Sequence, residues 1–277
     1  MSAEPELPLI DEPLSAAAMP AAFEVPGPPG STPGTDYRDI RCFPKGSRAG
    51  IFFHDVLEQL DFAGHSAEEL RELVSSRLAA SGFADHWGPV VCQWLDRILD
   101  TPLAEDSGLT LRQLSGDERL VEMEFDFPLH DLDCARLNRV LTDFSCSTVA
   151  VPPALLRGLM KGFIDLVFRF QGRLFIADYK SNYLGPAPAD YRRDALEKAM
   201  SEHRYDLQYL IYTVALHRYL DGRMPGYDYT DHFGGVYYLF LRGMDPDEGP
   251  TAGIYHALPP RALIERLGAC FGGQEAG

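Results

Sequence analysis

The stretch from Gly162 to Asn182, GFIDLVFRFQGRLFIADYKSN, constrains this chain more than any other. Two apolar, β-prone runs flank Gln171-Gly172, which predicts an antiparallel hairpin closed by a tight turn. Centring the turn there places Phe170 opposite Arg173, Phe168 opposite Phe175 and Asp165 opposite Asp178. Side chains alternate along a strand, so Lys180 shares a face with Asp178. The register predicts two carboxylates and an ammonium together at the open end of the hairpin. Directly opposed residues have Cβ atoms about 4.5–5.5 Å apart, where like charges destabilise a sheet. Such a pair is tolerated when one carboxyl holds a proton or a cation sits between them. Lys180 supplies part of that compensation. A divalent metal on oxygen ligands, Mg²⁺ or Mn²⁺, would supply more. A surface hairpin with solvated Asp residues and a sheet-edge Lys satisfies the same pattern, and the residues alone leave both readings open.

With 277 residues the chain suits one large domain or two small ones. Its 45% hydrophobic and 24% charged content is that of a globular protein. No apolar run approaches the ~18 residues of a membrane span, and the start lacks the basic and apolar segments of a signal peptide. A cytoplasmic protein is expected. The cysteines at 42, 92, 134, 146 and 270 form no C-x-x-C pair, which argues against zinc, disulfide and iron–sulfur frameworks. There is no G-x-x-x-x-G-K-[ST] phosphate loop, so no ATP site is expected. Lys plus Arg is 25 against 41 Asp plus Glu, a net charge of −16, whereas a free-standing nucleic-acid binder usually has a basic surplus. The acid is uneven. Residues 1–40 hold seven acids and one Arg, −6, while residues 157–193 hold seven Lys or Arg against three Asp, +4.

Residues 1–38 are rich in Pro, Ala and Glu without periodicity and read as a disordered tail or linker. In FPKGSRAGIFFHDVLEQLDF, residues 43–62, Phe52, Phe53, Val56, Leu57 and Leu60 form a helical stripe. His54 on that helix reads, unaided, as a satisfied polar residue at the core edge. Ser66-Ala-Glu-Glu69 is a capping box, and a further helix is expected over 89–100. LVEMEFDF, residues 120–127, alternates strictly: Val121, Met123, Phe125 and Phe127 on one face, Glu122, Glu124 and Asp126 on the other. A short helix over 132–143 and a Pro152-Pro153 break precede the hairpin. One helix is expected from about Asp190 to Leu220, with Gln208 and Tyr212 four apart on one face. Val236 to Leu241 reads as a central strand covered on both sides, and His232 before it as structural. A last helix over 259–269 precedes a frayed end, 271–277.

Asp165, a hairpin, then Asp178-Tyr179-Lys180 resembles the signature of the PD-(D/E)xK nucleases. The ordered set FFHDVLEQLDF, VEMEF, GFIDLVF, ADYKSN, HRYDLQY and FGGVYYLFLRG, within residues 39–270, is similar to the RecB-type nuclease domains of that superfamily. The resemblance implies an α/β fold, a restriction-endonuclease-like mixed central sheet flanked by helices. It implies hydrolysis of DNA phosphodiester bonds with Mg²⁺, or Mn²⁺, held by His54, Asp165, Asp178 and the Tyr179 backbone carbonyl. Lys180 would act with the two Asp residues in catalysis, Glu122 (or else Glu124) would assist the metal, and Gln208 and Tyr212 would position DNA. It implies work on a single strand, beside a helicase region and the gamma and alpha subunits of an exodeoxyribonuclease V-type complex, in recombinational double-strand break repair. A detached domain, a split gene or a truncated sequence would each begin as this chain does. The rival reading is a catalytically silent module with the same fold that docks onto helicase subunits.

Overall fold

The computed structural model describes residues 39–105, 108–146, 150–152 and 154–272. The tail expected over 1–38, Pro153 of the Pro-Pro break and residues 273–277 lie outside them. The expected hairpin is the centre of the sheet. β2 (Leu155–Phe170) and β3 (Arg173–Lys180) pair antiparallel, with Phe168 opposite Phe175 and Phe170 opposite Arg173. Gln171 and Gly172 have φ of 48° and 80°, the two left-handed residues that a tight hairpin turn requires. β1 (Arg119–Asp133) adds antiparallel to β2 at one edge. β4 (Phe233–Phe240) adds parallel to β3, and β5 (Ile254–Ala257) closes the other edge antiparallel, giving the order β1-β2-β3-β4-β5. β4 is buried at every position, as its continuous apolar run predicts.

Helices cover both faces. On one side lie α1 (Ser47–Gln59), α2 (Ala67–Ala80) and α3 (Gly88–Asp100), packed through Phe52, Val56, Val74 and Leu95 against Leu166, Ala177 and Tyr179. α2 opens on the expected capping box: the Glu69 N–H donates to Ser66 Oγ at 3.2 Å and the Ser66 N–H to Glu69 Oε2 at 2.7 Å. On the other side lie α4 (Cys134–Asp143), α5 (Arg193–Glu202) and α6 (Tyr205–Arg223). The single-turn α7 (Tyr229–His232) leads into β4, and α8 (Arg261–Gly272) completes this layer. The parallel β3–β4 pair needs a crossover, and α5 and α6 supply it.

The structure corrects four expectations. The helix expected from Asp190 to Leu220 is two helices, broken where Arg204 takes a left-handed φ of 57°. β1 continues to Asp133, so the short helix starts at Cys134 rather than 132. Its alternation also switches sides. Glu122 has φ 50°, and beyond it Met123, Phe125 and Phe127 pack with α6 and α8, whereas Val121 packs on the α1 side. Finally, α8 runs to Gly272 with Phe271 buried, so chain order extends two residues into the expected frayed end.

One side chain holds the α1 layer to the hairpin. Arg242, 2% exposed, donates from Nε to the Ser181 carbonyl at 2.9 Å and from Nη1 to those of Ile40 and Phe43 at 2.9 and 3.0 Å. Its Nη2 reaches the Pro44 carbonyl at 2.7 Å. Arg242→Met strips all four acceptors of this donor, and a buried acceptor left unpaired is costly. The variant is expected to lose about 3 kcal/mol or more in urea unfolding. A loss below about 1 kcal/mol would show that the strap before α1 is held by its own packing.

Candidate active site

Distant pieces of chain meet near the C-terminal end of β3. α1 carries His54 on the flank of its buried stripe. β1 and β2 bring Glu122 and Asp165 to neighbouring positions, between the pairs Val121–Leu166 and Met123–Ile164. β3 ends in Asp178, Tyr179 and Lys180, and the first half of α6 carries Gln208 and Tyr212.

The predicted register holds up to the position before Asp165 and Asp178, where the ladder pairing ends. The β2–β3 ladder runs from Phe170–Arg173 to Leu166–Ala177. Beyond it the Tyr179 N–H donates to the side chain of Asp165, at Oδ2, 2.8 Å away. Each carboxylate has its own charged partner. Asp165 Oδ1 faces His54 Nδ1 at 3.4 Å, and Asp178 Oδ2 faces Lys180 Nζ at 2.5 Å. The other ring nitrogen of His54 lies 3.0 Å from the Tyr179 carbonyl oxygen. His54, Glu122 and Asp165 each offer one ligand atom within 4.8 Å of the others, and Asp178 stands outside that group. Glu124, the alternative acid, is ion-paired with Lys161 on the exposed face of β1.

Lys180 sits in a box. Its ammonium donates to Gln208 Oε1 at 3.1 Å and lies 4.1 Å from the centre of the Tyr205 ring and 5.1 Å from that of Tyr238. Tyr238 donates its hydroxyl to the same Oε1 at 3.0 Å, and Gln208 Nε2 donates to the Tyr212 hydroxyl at 2.8 Å. Gln208 and Tyr212 share a face, as their spacing predicts, and Gln208 links the lysine to Tyr212. Tyr205 and Tyr238 were not legible as site residues. Tyr238 lies in an apolar strand, and only the parallel register that sets it beside Asp178 reveals it.

Electrostatics follow from burial and pairing. Burial resists a charge on His54, but the Asp165 carboxylate, helped by Asp178, outweighs it and pushes the ring up to about 9. Burial likewise opposes ionisation of Asp165, yet His54, Lys180 and the Tyr179 N–H hold it below the usual carboxylate range. Burial pushes Asp178 up to about 6, with Lys180 opposing and Asp165 adding. Burial, then the Asp165 charge, also raises Glu122. The Asp178 Oδ2 is buried and answered by the Lys180 ammonium at 2.5 Å. Crowded carboxylates beside one imidazole, with the ligand atoms of His54, Glu122 and Asp165 within 4.8 Å of one another, are a donor set that fits a hard or borderline divalent cation.

The mixed sheet, with an acid–acid–lysine set at the end of its central hairpin, is a restriction-endonuclease-like architecture. The chain belongs to the PD-(D/E)XK nuclease superfamily, whose family model matches residues 38–266. It is similar to the RecBCD enzyme subunit RecB of Escherichia coli, at 44% identity over 83% of this chain and 20% of that subunit. The RecB subunits of Haemophilus influenzae and Mycolicibacterium smegmatis are 37% and 35% identical, over 84% and 81% of the chain. The chain spans about a fifth to a quarter of the length of these curated relatives (20%, 19% and 24%).

The His54–Asp165 contact has a testable sign. A histidine whose folded pKa is raised stabilises the protein fully below its ordinary value of 6.5, and that stability is lost as pH rises through about 9. In protein freed of metal with a chelator, an imidazole NMR titration is expected to place His54 near 9, with Asp165→Asn shifting it down. A wild-type midpoint near 6.5 would mean that the contact carries no charge pairing.

Proposed function

We propose that the chain is a DNA nuclease domain that hydrolyses phosphodiester bonds with a divalent metal, Mg²⁺ by preference and Mn²⁺ as a substitute. The observation that carries this is the pairing of a His54–Glu122–Asp165 group with a boxed Lys180 at one sheet end, in a chain of this superfamily. His54, Asp165, Asp178 and the Tyr179 carbonyl would hold the metal, with Glu122 assisting. When bound, the metal makes a water more nucleophilic and offsets negative charge on the phosphate. Lys180 supplies a fixed ammonium beside the same phosphate, where charge grows as the water oxygen bonds to phosphorus and the bond to the sugar oxygen breaks. Asp178 and Gln208 hold that ammonium in place, so little reorganisation is needed as the charge develops. Gln208 and Tyr212 bear on the DNA strand through the lysine they orient.

The curated relatives are subunits of RecBCD enzymes, which supports a place for this domain in recombinational double-strand break repair. A helicase region and the gamma and alpha subunits of an exodeoxyribonuclease V-type complex would deliver a single strand to it. No helix among the described residues is long and apolar enough to cross a membrane, which is compatible with cytoplasmic work on DNA. The silent docking-module reading draws on a bare face of the β1–β2 arm, where Leu155 and Leu159 are 60% and 61% exposed. Partner docking and catalysis are compatible, and the intact Asp165–Asp178–Lys180 set favours catalysis.

The test is a nuclease assay on linear single- and double-stranded DNA, with Mg²⁺ or with EDTA. Cleavage is expected only with the metal, and Asp178→Ala and Lys180→Ala should each lower it about 10²-fold or more. Calorimetry of Mg²⁺ and Mn²⁺ binding runs beside it, with Asp165→Ala expected to abolish the heat. A wild-type chain that binds metal but cuts nothing would point to dependence on partners; one that does neither would sink the catalytic reading.

A further inference from the structure

The box around Lys180 contains a residue whose hydroxyl is aimed at another member of it. Tyr238 lies on β4 directly beside Asp178 of β3, is fully buried, and donates its hydroxyl to Gln208 Oε1 at 3.0 Å. Burial keeps its hydroxyl a neutral phenol that donates. Gln208 is an amide with two nearly isosteric orientations, one presenting an acceptor and the other presenting two donors. Lys180 has donors alone, so only the first orientation suits it. The hydrogen bonds fix that orientation from both ends. Lys180 and Tyr238 converge on Oε1 at 3.1 and 3.0 Å, while Nε2 is turned to the Tyr212 hydroxyl at 2.8 Å.

We propose that Tyr238 is a positioning residue for Lys180, acting through Gln208; the proposal rests on the nuclease reading above for its catalytic consequence, though not for the tether itself. Asp178 draws the ammonium one way as an ion pair, and the Gln208 oxygen draws it another, so that its direction is set by two anchors rather than one. Tyr238 stands on the strand next to the first anchor and grips the second. It thereby ties the α6 helix to the β3–β4 frame at the height of the ammonium. Removing its hydroxyl leaves the amide oxygen with one donor and lets the amide turn, while the ring still packs 5.1 Å from Lys180 Nζ and 5.6 Å from the Tyr205 ring.

Tyr238→Phe therefore separates the hydroxyl from the packing. In single-turnover cleavage of a labelled oligonucleotide, the variant is expected to lose about fivefold to tenfold in rate, the scale of one hydrogen bond. KM for DNA and calorimetric Mg²⁺ affinity should stay at wild-type values, and the urea midpoint should fall by no more than the loss of one hydrogen bond. In a Gln208→Ala background the same substitution should cost nothing further, because its route to the lysine is already cut. Wild-type rate in Tyr238→Phe, or losses that multiply in the double variant, would overturn the proposal. A second readout needs no turnover. The chain has four lysines, 45, 161, 180 and 198, and competitive acetylation followed by peptide mass spectrometry reads each. Lys180 should be the least reactive in the wild type and several-fold more reactive in Tyr238→Phe, with the other three unchanged. If the wild-type chain cleaves no DNA, metal binding decides the nuclease reading as above, and the labelling alone decides the tether: unchanged Lys180 reactivity overturns it.

Discussion

Taking an ammonium and two carboxylates out of water at the end of a sheet is the constraint on which this structure turns. Each buried ion costs several kcal/mol unless its neighbours replace the lost hydration. Lys180 recovers it from Asp178, the Gln208 oxygen and two tyrosine rings, and Asp165 from His54 and the Tyr179 N–H. Those neighbours come from α1, β3, β4 and α6, so the demands of one charged group fix how four elements meet. Asp178 is answered by Lys180 alone among these partners, and burial with the nearby Asp165 charge still pushes its carboxyl up to about 6.

Much of this was legible in the sequence, and what was not has definite causes. The hairpin, its turn and its register follow from alternation around Gln171-Gly172, because a period-2 pattern fixes both strand and face. The helical stripe of α1 and the capping box of α2 follow from equally local rules. The failures lie where backbone leaves regular geometry. Glu122 and Arg204, with φ of 50° and 57°, are not residues whose type announces a left-handed conformation, and each breaks a pattern that looked continuous. The end of the ladder just before Asp165 and Asp178 was illegible for a related reason: a side chain takes the Tyr179 N–H beyond the last pair. Both deviations near the acids sit beside the candidate metal group, where local strain is commonly stored.

The local basic surplus read from residues 157–193 also changes meaning in three dimensions. Arg157 pairs with Asp131, Lys161 with Glu124, Arg192 with Glu248 and Arg193 with Glu197. Counted as a string the segment is cationic, yet counted as a surface much of that charge is already answered. With −16 on the chain as a whole, long-range attraction for a polyanion has little to draw on here. In the proposed function, contact with nucleic acid would therefore rest on short-range geometry at the sheet's end more than on an electrostatic field.

Arg242 binds the residues just before α1 to the carbonyl of Ser181, immediately after the boxed lysine, across about 200 positions of sequence (|i−j| of 199 between Arg242 and Phe43). Segments far apart in the chain are thus stitched together beside its chemistry. Losing that strap would unseat the carbonyl beside Lys180 and the approach to α1 at once, so the surroundings of the site answer to a residue 61 positions further along the chain.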